Sequence, residues 1–143
     1  MSELRTTNLD LPFIAPSQAQ KHVTHNEALN ALDALVHLSV LDRDLTTPPS
    51  SPAEGTRYLI GAGGTDGWSG KDGQIAAFQE GAWAYFIPST GWLVWIGDEK
   101  LLLAHDGAGW VAIDSQTASQ FGVNSVADSM MMSRRATDRR AML

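Results

Sequence analysis

No cysteine occurs among the 143 residues. Disulfide frameworks, thiol nucleophiles and cysteine-ligated zinc are therefore excluded. Charge is also scarce, at 18% of the chain against 43% hydrophobic residues. A domain of this size without covalent staples draws its stability from core packing or from subunit association. Scarce charge beside five tryptophans points to the second source, with part of the apolar surface buried against other subunits. Basic residues are the least evenly spread: Arg134, Arg135, Arg139 and Arg140 account for four of ten, with Asp138 the one acid among them. The rest of the chain holds six basic and fifteen acidic residues. Such an acidic body repels nucleic acid, so no nucleic-acid partner is expected. No apolar run approaches the length of a membrane span, and no membrane partner is expected. The N-terminus lacks a basic start followed by an apolar stretch, so the reading is synthesis and folding in a cytoplasm.

What is present divides the chain into four parts. Residues 1–41 read as an arm and a helix, 42–55 as a Pro-rich linker, 56–114 as an antiparallel β-module and 115–143 as a tail. Pro12 and Pro16 keep the arm extended, while Leu11, Phe13 and Ile14 need a surface to pack on and are the candidate attachment residues. Thr24 and Glu27 have the spacing of a capping box, which predicts a helix from His25 to about Val40. Leu29, Leu32 and Val36 fall on one face of it at alternating intervals of three and four. That stripe suits packing on the β-module or on another subunit, and the three residues are the candidate oligomer interface. Pro48, Pro49 and Pro52 stiffen the connector.

From Thr56 the pattern turns to short apolar runs separated by Gly-containing turns. The turns Gln79-Glu80-Gly81, Gly97-Asp98-Glu99-Lys100 and Asp106-Gly107-Ala108-Gly109 each predict a hairpin. A weak repeat relates Ala77–Trp83 to Ala104–Trp110. The fold class expected is α+β, mainly β: an extended arm and one amphipathic helix, then a small antiparallel Trp-rich hairpin module.

Motifs for catalysis or metal binding are incomplete. Ser69 lacks Gly-x-Ser-x-Gly spacing. The Gly-rich run 61–67 has no Lys-Ser/Thr ending, so it is a turn rather than a phosphate loop. His22 and His25 lie three apart but lack further ligands. No enzyme activity, metal or cofactor is expected. The tryptophans are the distinctive feature. Strand alternation puts Trp83 and Tyr85 on one face and Trp95 opposite Trp92. Exposed rings can stack on sugars while acids in nearby turns hold hydroxyls; the candidate carbohydrate set is Trp68, Trp92, Trp95, Asp98 and Trp110. Core and interface packing is the other role such rings fill.

The run from Leu11 through Pro12-Phe13-Ile14-Ala15-Pro16-Ser17-Gln18-Ala19-Gln20-Lys21-His22 to Leu29 resembles the opening of a domain-of-unknown-function family from alphaproteobacterial prophages and gene transfer agents. Ser51–Tyr58, Gly73-Gln74-Ile75-Ala76 and Gly81-Ala82-Trp83 are similar too, and the resemblance covers about residues 9 to 125. It implies a virion or gene-transfer-agent particle protein of the head-spike or tail-fibre kind. Such a protein assembles as a trimer or pentamer, contacts capsid-vertex, spike or tail components, and supports host attachment. Relatives continue past Phe121-Gly122-Val123-Asn124 into further β-structure, and this chain ends about twenty residues later, which favours a base or adaptor role. The alternative is an adhesin domain that recognises host capsule or lipopolysaccharide.

Overall fold

The computed structural model describes residues 4–15 and 21–113. One helix, α1 (Lys21–Leu35), is followed by β1 (Ser39–Val40), β2 (Arg57–Leu59), a 3-10 turn (Asp66–Trp68), β3 (Ile75–Gln79), β4 (Ala82–Phe86), β5 (Leu93–Ile96), β6 (Leu101–His105) and β7 (Trp110–Ala112). The strands make two sheets, ordered β1-β5-β6-β7 and β2-β3-β4. The mainly-β architecture after a single helix is the one expected, with an aromatic cluster inside the β-region. Residues Met1–Val111 form one compact unit; of a second unit, Ala112–Leu143, only Ala112 and Ile113 are described. The tail readings, including Met130–Met132 and the four C-terminal arginines, lie outside the described residues.

Two details of the N-terminal region depart from expectation. The arm is not extended. Asp10 takes a left-handed φ of 55° and reverses the chain, so that Arg5 pairs with Pro12 across an antiparallel bridge. The helix contains Thr24 rather than starting after it, so the expected capping box does not form, and it ends at Leu35 rather than near Val40. His37 adopts a left-handed φ of 53°, which stops the helix and turns the chain into β1. That releases Leu38 and Val40 to become core residues of the first sheet, 8% and 1% exposed.

The first sheet is closed by a parallel pairing that local pattern does not disclose: Ser39 and Val40 align with Trp95 and Ile96. Its buried side carries Val40, Val94, Ile96 and Leu103. The second sheet is buried on both faces, since Ile75, Ala76 and Ala77 are consecutive and none is more than 1% exposed. Backbone bonds stitch the sheets together, from Leu41 N–H to Arg57 O (2.9 Å) and from Leu59 N–H to Asp42 O (3.1 Å). The Pro-rich connector is tied down as well, through Gly61 N–H to Leu45 O and Thr65 N–H to Thr46 O.

The hairpins follow their turn residues. Between β3 and β4, Glu80 and Gly81 both have positive φ, 53° and 75°, the handedness that matches strand twist in a two-residue turn. Glu54 accepts the Glu80 and Gly81 N–H groups and holds that turn in place. Between β6 and β7, Gly107 has a φ of 101°, and an added Cβ would meet Thr90 Oγ1 at 2.7 Å.

The arm is held by a buried carboxylate. Asp33 is 1% exposed, and it accepts the Asn8 N–H at 3.1 and 3.0 Å and the Leu9 N–H at 2.5 Å. Asn8 Nδ2 also reaches Asp33 O and Gly55 O. Gly55 must be glycine here: its φ is 83°, and a Cβ would sit 2.6 Å from the Thr7 side chain. Replacing Asp33 by Ala removes the acceptor of the Asn8 and Leu9 N–H groups, and the expected loss is about 1–3 kcal/mol of stability. Urea denaturation measures the loss, and hydrogen exchange at Asn8 and Leu9 reports release of the arm; protected amides in Asp33→Ala would contradict this account.

Candidate functional site

The aromatic set is divided between core and surface. Trp68, at the end of the 3-10 turn, is fully buried with Tyr58, Ile60 and Ala76, and Trp83 and Tyr85 pack against that cluster. The rings meet edge to face: Trp68 to Trp83 at 5.5 Å and 77°, Phe78 to Trp83 at 5.2 Å and 65°. This is the arrangement that ring quadrupoles favour. Tyr85 donates its hydroxyl to Gly67 O at 3.1 Å, and Lys71 Nζ lies 4.7 Å from the Tyr85 ring centre. Burial pushes the Tyr85 phenol above its ordinary range. The Trp68 indole N–H is buried without a hydrogen-bond partner. Its cost is offset by the packing of the rings.

These placements decide what each candidate sugar-binding residue can offer. Trp68 has no surface, so it cannot stack on a ligand. Trp110 donates its indole N–H to Gly73 O at 2.8 Å and meets His105 edge-on at 5.1 Å, which commits its polar tip inward. Trp92 is half-buried. Trp95 is 42% exposed, on the opposite side of its strand from buried Val94 and Ile96. Asp98 lies exposed in the β5–β6 turn. The five therefore do not make one stacking platform. Strand alternation leaves Trp95 outside between buried Val94 and Ile96, but burial of Trp68 comes from a turn, where no periodicity applies.

Of the candidate interface residues, Leu29 is half-buried and Leu32 50% exposed on α1, while Val36, 39% exposed, lies just past the end of the helix. The helix is seated largely by polar contacts: Asp33 on the arm, Gln79 Nε2 on Asn30 O at 2.6 Å, and Arg57 on Ala34 O at 3.0 Å. Arg57 thus supplies the cation that the last turn of the helix lacks. Burial lowers the Arg57 pKa, with Asp33 opposing that shift. In the arm, Leu11 and Phe13 are half-buried and Ile14 is 36% exposed. Ile14 is fastened to the helix by reciprocal bonds with the Asn26 amide, at 3.0 and 3.2 Å.

Sequence reasoning missed a groove between helix and hairpin. It has a volume of about 280 Å³ and is walled by Glu27, Asn30, Gln79, Glu80, Trp83 and Phe86. A second hollow of about 200 Å³, next to the arm, shares Asn30, Gln79 and Glu80. Amides, carboxylates and an aromatic wall are the functional groups that hold a polar, ring-shaped ligand. No motif signals the groove, because its residues meet only when the helix and the β3–β4 hairpin pack together.

Three carboxylates, of Asp42, Asp44 and Asp98, have oxygens within 4.8 Å of one another. Beside them Arg43 grips Glu99 through two bonds, at 2.6 and 2.8 Å. That hydrogen bonding raises the Arg43 pKa, against a smaller effect of desolvation. The trio is the arrangement among the described residues with the donors to hold a cation, and exposed acidic groups of this kind are common without one. His22 and His25 both lie on α1.

Residues 25–111 match the model of a family described as "Protein of unknown function (DUF2793)". The chain belongs to the DUF2793 family. The match takes in most of α1 and both sheets and stops within β7, so the arm lies ahead of the DUF2793 region. No curated protein matches the chain.

Two turns of the DUF2793 region carry acids whose ionisation is coupled to their shape. Asp72 accepts the Gly63 and Gly64 N–H groups at 2.8 and 2.9 Å, and these bonds hold its carboxyl below the ordinary carboxylate range. Asp106 is lowered in the same way by the Gly109 and Ala108 N–H groups. A lowered folded-state value means that the stabilisation is complete above the ordinary aspartate range and is lost as pH falls through the lower one. In NMR titrations both carboxyls should therefore have midpoints below that of a free aspartate. Asp72→Asn and Asp106→Asn should also flatten the acid side of the Tm-against-pH curve. Ordinary midpoints would refute the coupling.

Proposed function

We propose that this chain is a structural subunit of a phage or gene-transfer-agent particle, of the head-spike or tail-fibre kind and in a base or adaptor position. In this reading it works as a homo-oligomer, a trimer or pentamer, and supports attachment of the particle to its host. The observation that carries the reading is uncovered apolar surface on an acidic chain. Leu32, Val36, Leu93 and Trp95 are all between 39% and 52% exposed. Apolar surface marks contact with a partner where such residues lie side by side in a patch of several hundred Å². The likeness of residues 11–29 to prophage and gene-transfer-agent proteins suggests the assembly.

The alternative is carbohydrate recognition at the surface of the host, and one observation favours it. The groove at Glu27, Asn30, Gln79, Glu80 and Trp83 has the amides and carboxylates that sugar hydroxyls require. Glycan-array binding that disappears in folded Asn30→Ala would favour that role, and binding that persists in the variant would remove the groove from it.

The particle reading is tested in two measurements. Mass spectrometry of particles purified from a producing strain should find the chain at a fixed stoichiometry. Light scattering of the isolated chain should give an oligomer that Leu32→Asp dissociates, at a cost of about 2 kcal/mol or more per contact. Absence from particles together with a single-copy mass would overturn it.

A further inference from the structure

The three-stranded sheet ends in β4, and the outer edge of that strand is bare. β3 turns alternate backbone groups to its two neighbours. Phe78 faces β2: its N–H donates to Thr56 O at 2.9 Å and its O accepts the Gly55 N–H at 2.8 Å. Ala76, two residues away, faces the same side. Trp83 and Tyr85 lie opposite Phe78 and Ala76 in register, so their N–H and C=O groups point away from the sheet. No backbone partner reaches those groups among the described residues. The other margins are closed or short. The outer side of β2 bonds to Leu41 and Asp42, and β7 has three residues. β4 has five, in unbroken register with β3. Its run Ala82-Trp83-Ala84-Tyr85-Phe86 holds none of the charges, prolines or bulges that usually blunt an edge.

We propose that the β4 edge receives an extended peptide segment of a partner protein, which adds a strand to the sheet and sets a lysine or arginine side chain into the adjoining groove. The proposal goes beyond the subunit reading, and it gives the groove a peptide in place of a sugar. The edge selects the backbone. Its outward groups recur at every second residue, about 6.8 Å apart, a repeat that an extended peptide matches and a saccharide does not. The groove selects the side chain. Alternation puts Ala82, Ala84 and Phe86 on one face of β4, and all three line the groove of about 280 Å³. A strand laid beside β4 sends every second side chain to that same face. The two alanines leave room for a long side chain, whose apolar stem lies along them and Phe86. Glu27 and Glu80, also in the wall, are exposed and have no ion-pair partner among the described residues. Their charge calls for a cation at the end of that stem.

Affinity and selectivity come from different groups. Main-chain hydrogen bonds to Trp83 and Tyr85 hold the segment. Ion pairs at exposed carboxylates add little affinity, but they decide which residue faces the groove. Pairing of β4 with β3 already aligns the outward groups, so the cost of ordering falls on the incoming segment. Opposite charges meet in this contact, so added salt weakens it by screening.

Selection of short random peptides against the full chain supplies the probe. Enriched peptides should carry a lysine or arginine between β-branched residues and no proline in that stretch. Hydrogen exchange read residue by residue by NMR then locates them. The Trp83 and Tyr85 amides should exchange quickly in the free chain and about tenfold or more slowly in the complex. The Ala84 amide, which faces β3, should change little. Glu27→Gln together with Glu80→Gln should weaken binding by about three- to tenfold. Both side chains are exposed, and circular dichroism checks that the variant is folded. The proposal is overturned if no peptide is enriched, if the enriched peptides lack a basic residue, or if they bind without slowing both amides. It is also overturned if raising the protein concentration alone slows both amides, which gives the edge to a second copy. A glycan that occupies the groove while no peptide is enriched returns the site to the sugar reading. Presence of the chain in purified particles is a separate measurement, so the particle reading stands or falls independently of these outcomes.

Discussion

The N-terminal half of this fold depends on one buried carboxylate. Asp33 sits at 1% exposure near the end of α1, and its oxygens take the backbone N–H groups of Asn8 and Leu9. Removing a charge from water costs several kcal/mol, and the cost is met only where the charge is fully hydrogen-bonded. The arm must therefore fold back at Asp10 to bring those donors to it. Arg57, which attracts Asp33 and binds Ala34 O, extends the same network from the helix to β2. Gly55 completes it by letting the arm pass closely. Helix, arm and second sheet are thus tied by a polar knot, beside an apolar core to which the helix contributes Ala34.

That division explains which features are legible in the amino acids and which are not. Turns declare themselves because a positive φ is costly for most residues. Gly81 and Gly107 therefore locate two hairpins with their strands. Alternation places Val94 and Ile96 inside and Trp95 outside, since β5 has one covered face. The helix is less transparent. Leu29, Leu32 and Val36 form an apolar stripe, yet Leu32 and Val36 are exposed and Asp33 is buried. An aspartate on a helix reads as a solvated residue unless its donors are known, and these come from residues twenty-four and twenty-five positions away. β1 is hidden for a related reason. Two residues, Ser39 and Val40, carry no periodicity, and their strand exists because β5 receives them.

The candidate site divides along the same line. The groove residues Glu27, Asn30, Gln79, Glu80 and Trp83 come from a helix and a hairpin about fifty residues apart, so spacing along the chain holds no trace of them. The tryptophans stand out in the sequence instead, because indole is rare and chemically distinctive. Yet Trp68 and Trp83 belong to an edge-to-face cluster that gives the small second sheet its core. A three-stranded sheet has little area of its own, and large rings supply it with few residues.

Once those rings are committed inward, the outward-facing chemistry that remains is limited in kind. Among the described residues it includes a groove with carboxylates and amides, an acidic turn cluster, and an aliphatic sheet face that carries Trp95. The acidic cluster is polar and can remain in water, while the groove mixes carboxylates and amides with an apolar wall of Trp83, Phe86 and alanines. The third is less favourable in water, because each half-exposed Leu or Val side chain forgoes part of the roughly 1.5–3 kcal/mol that full burial yields. A chain that retains such a face while keeping it free of charge is balanced towards contact with another apolar surface.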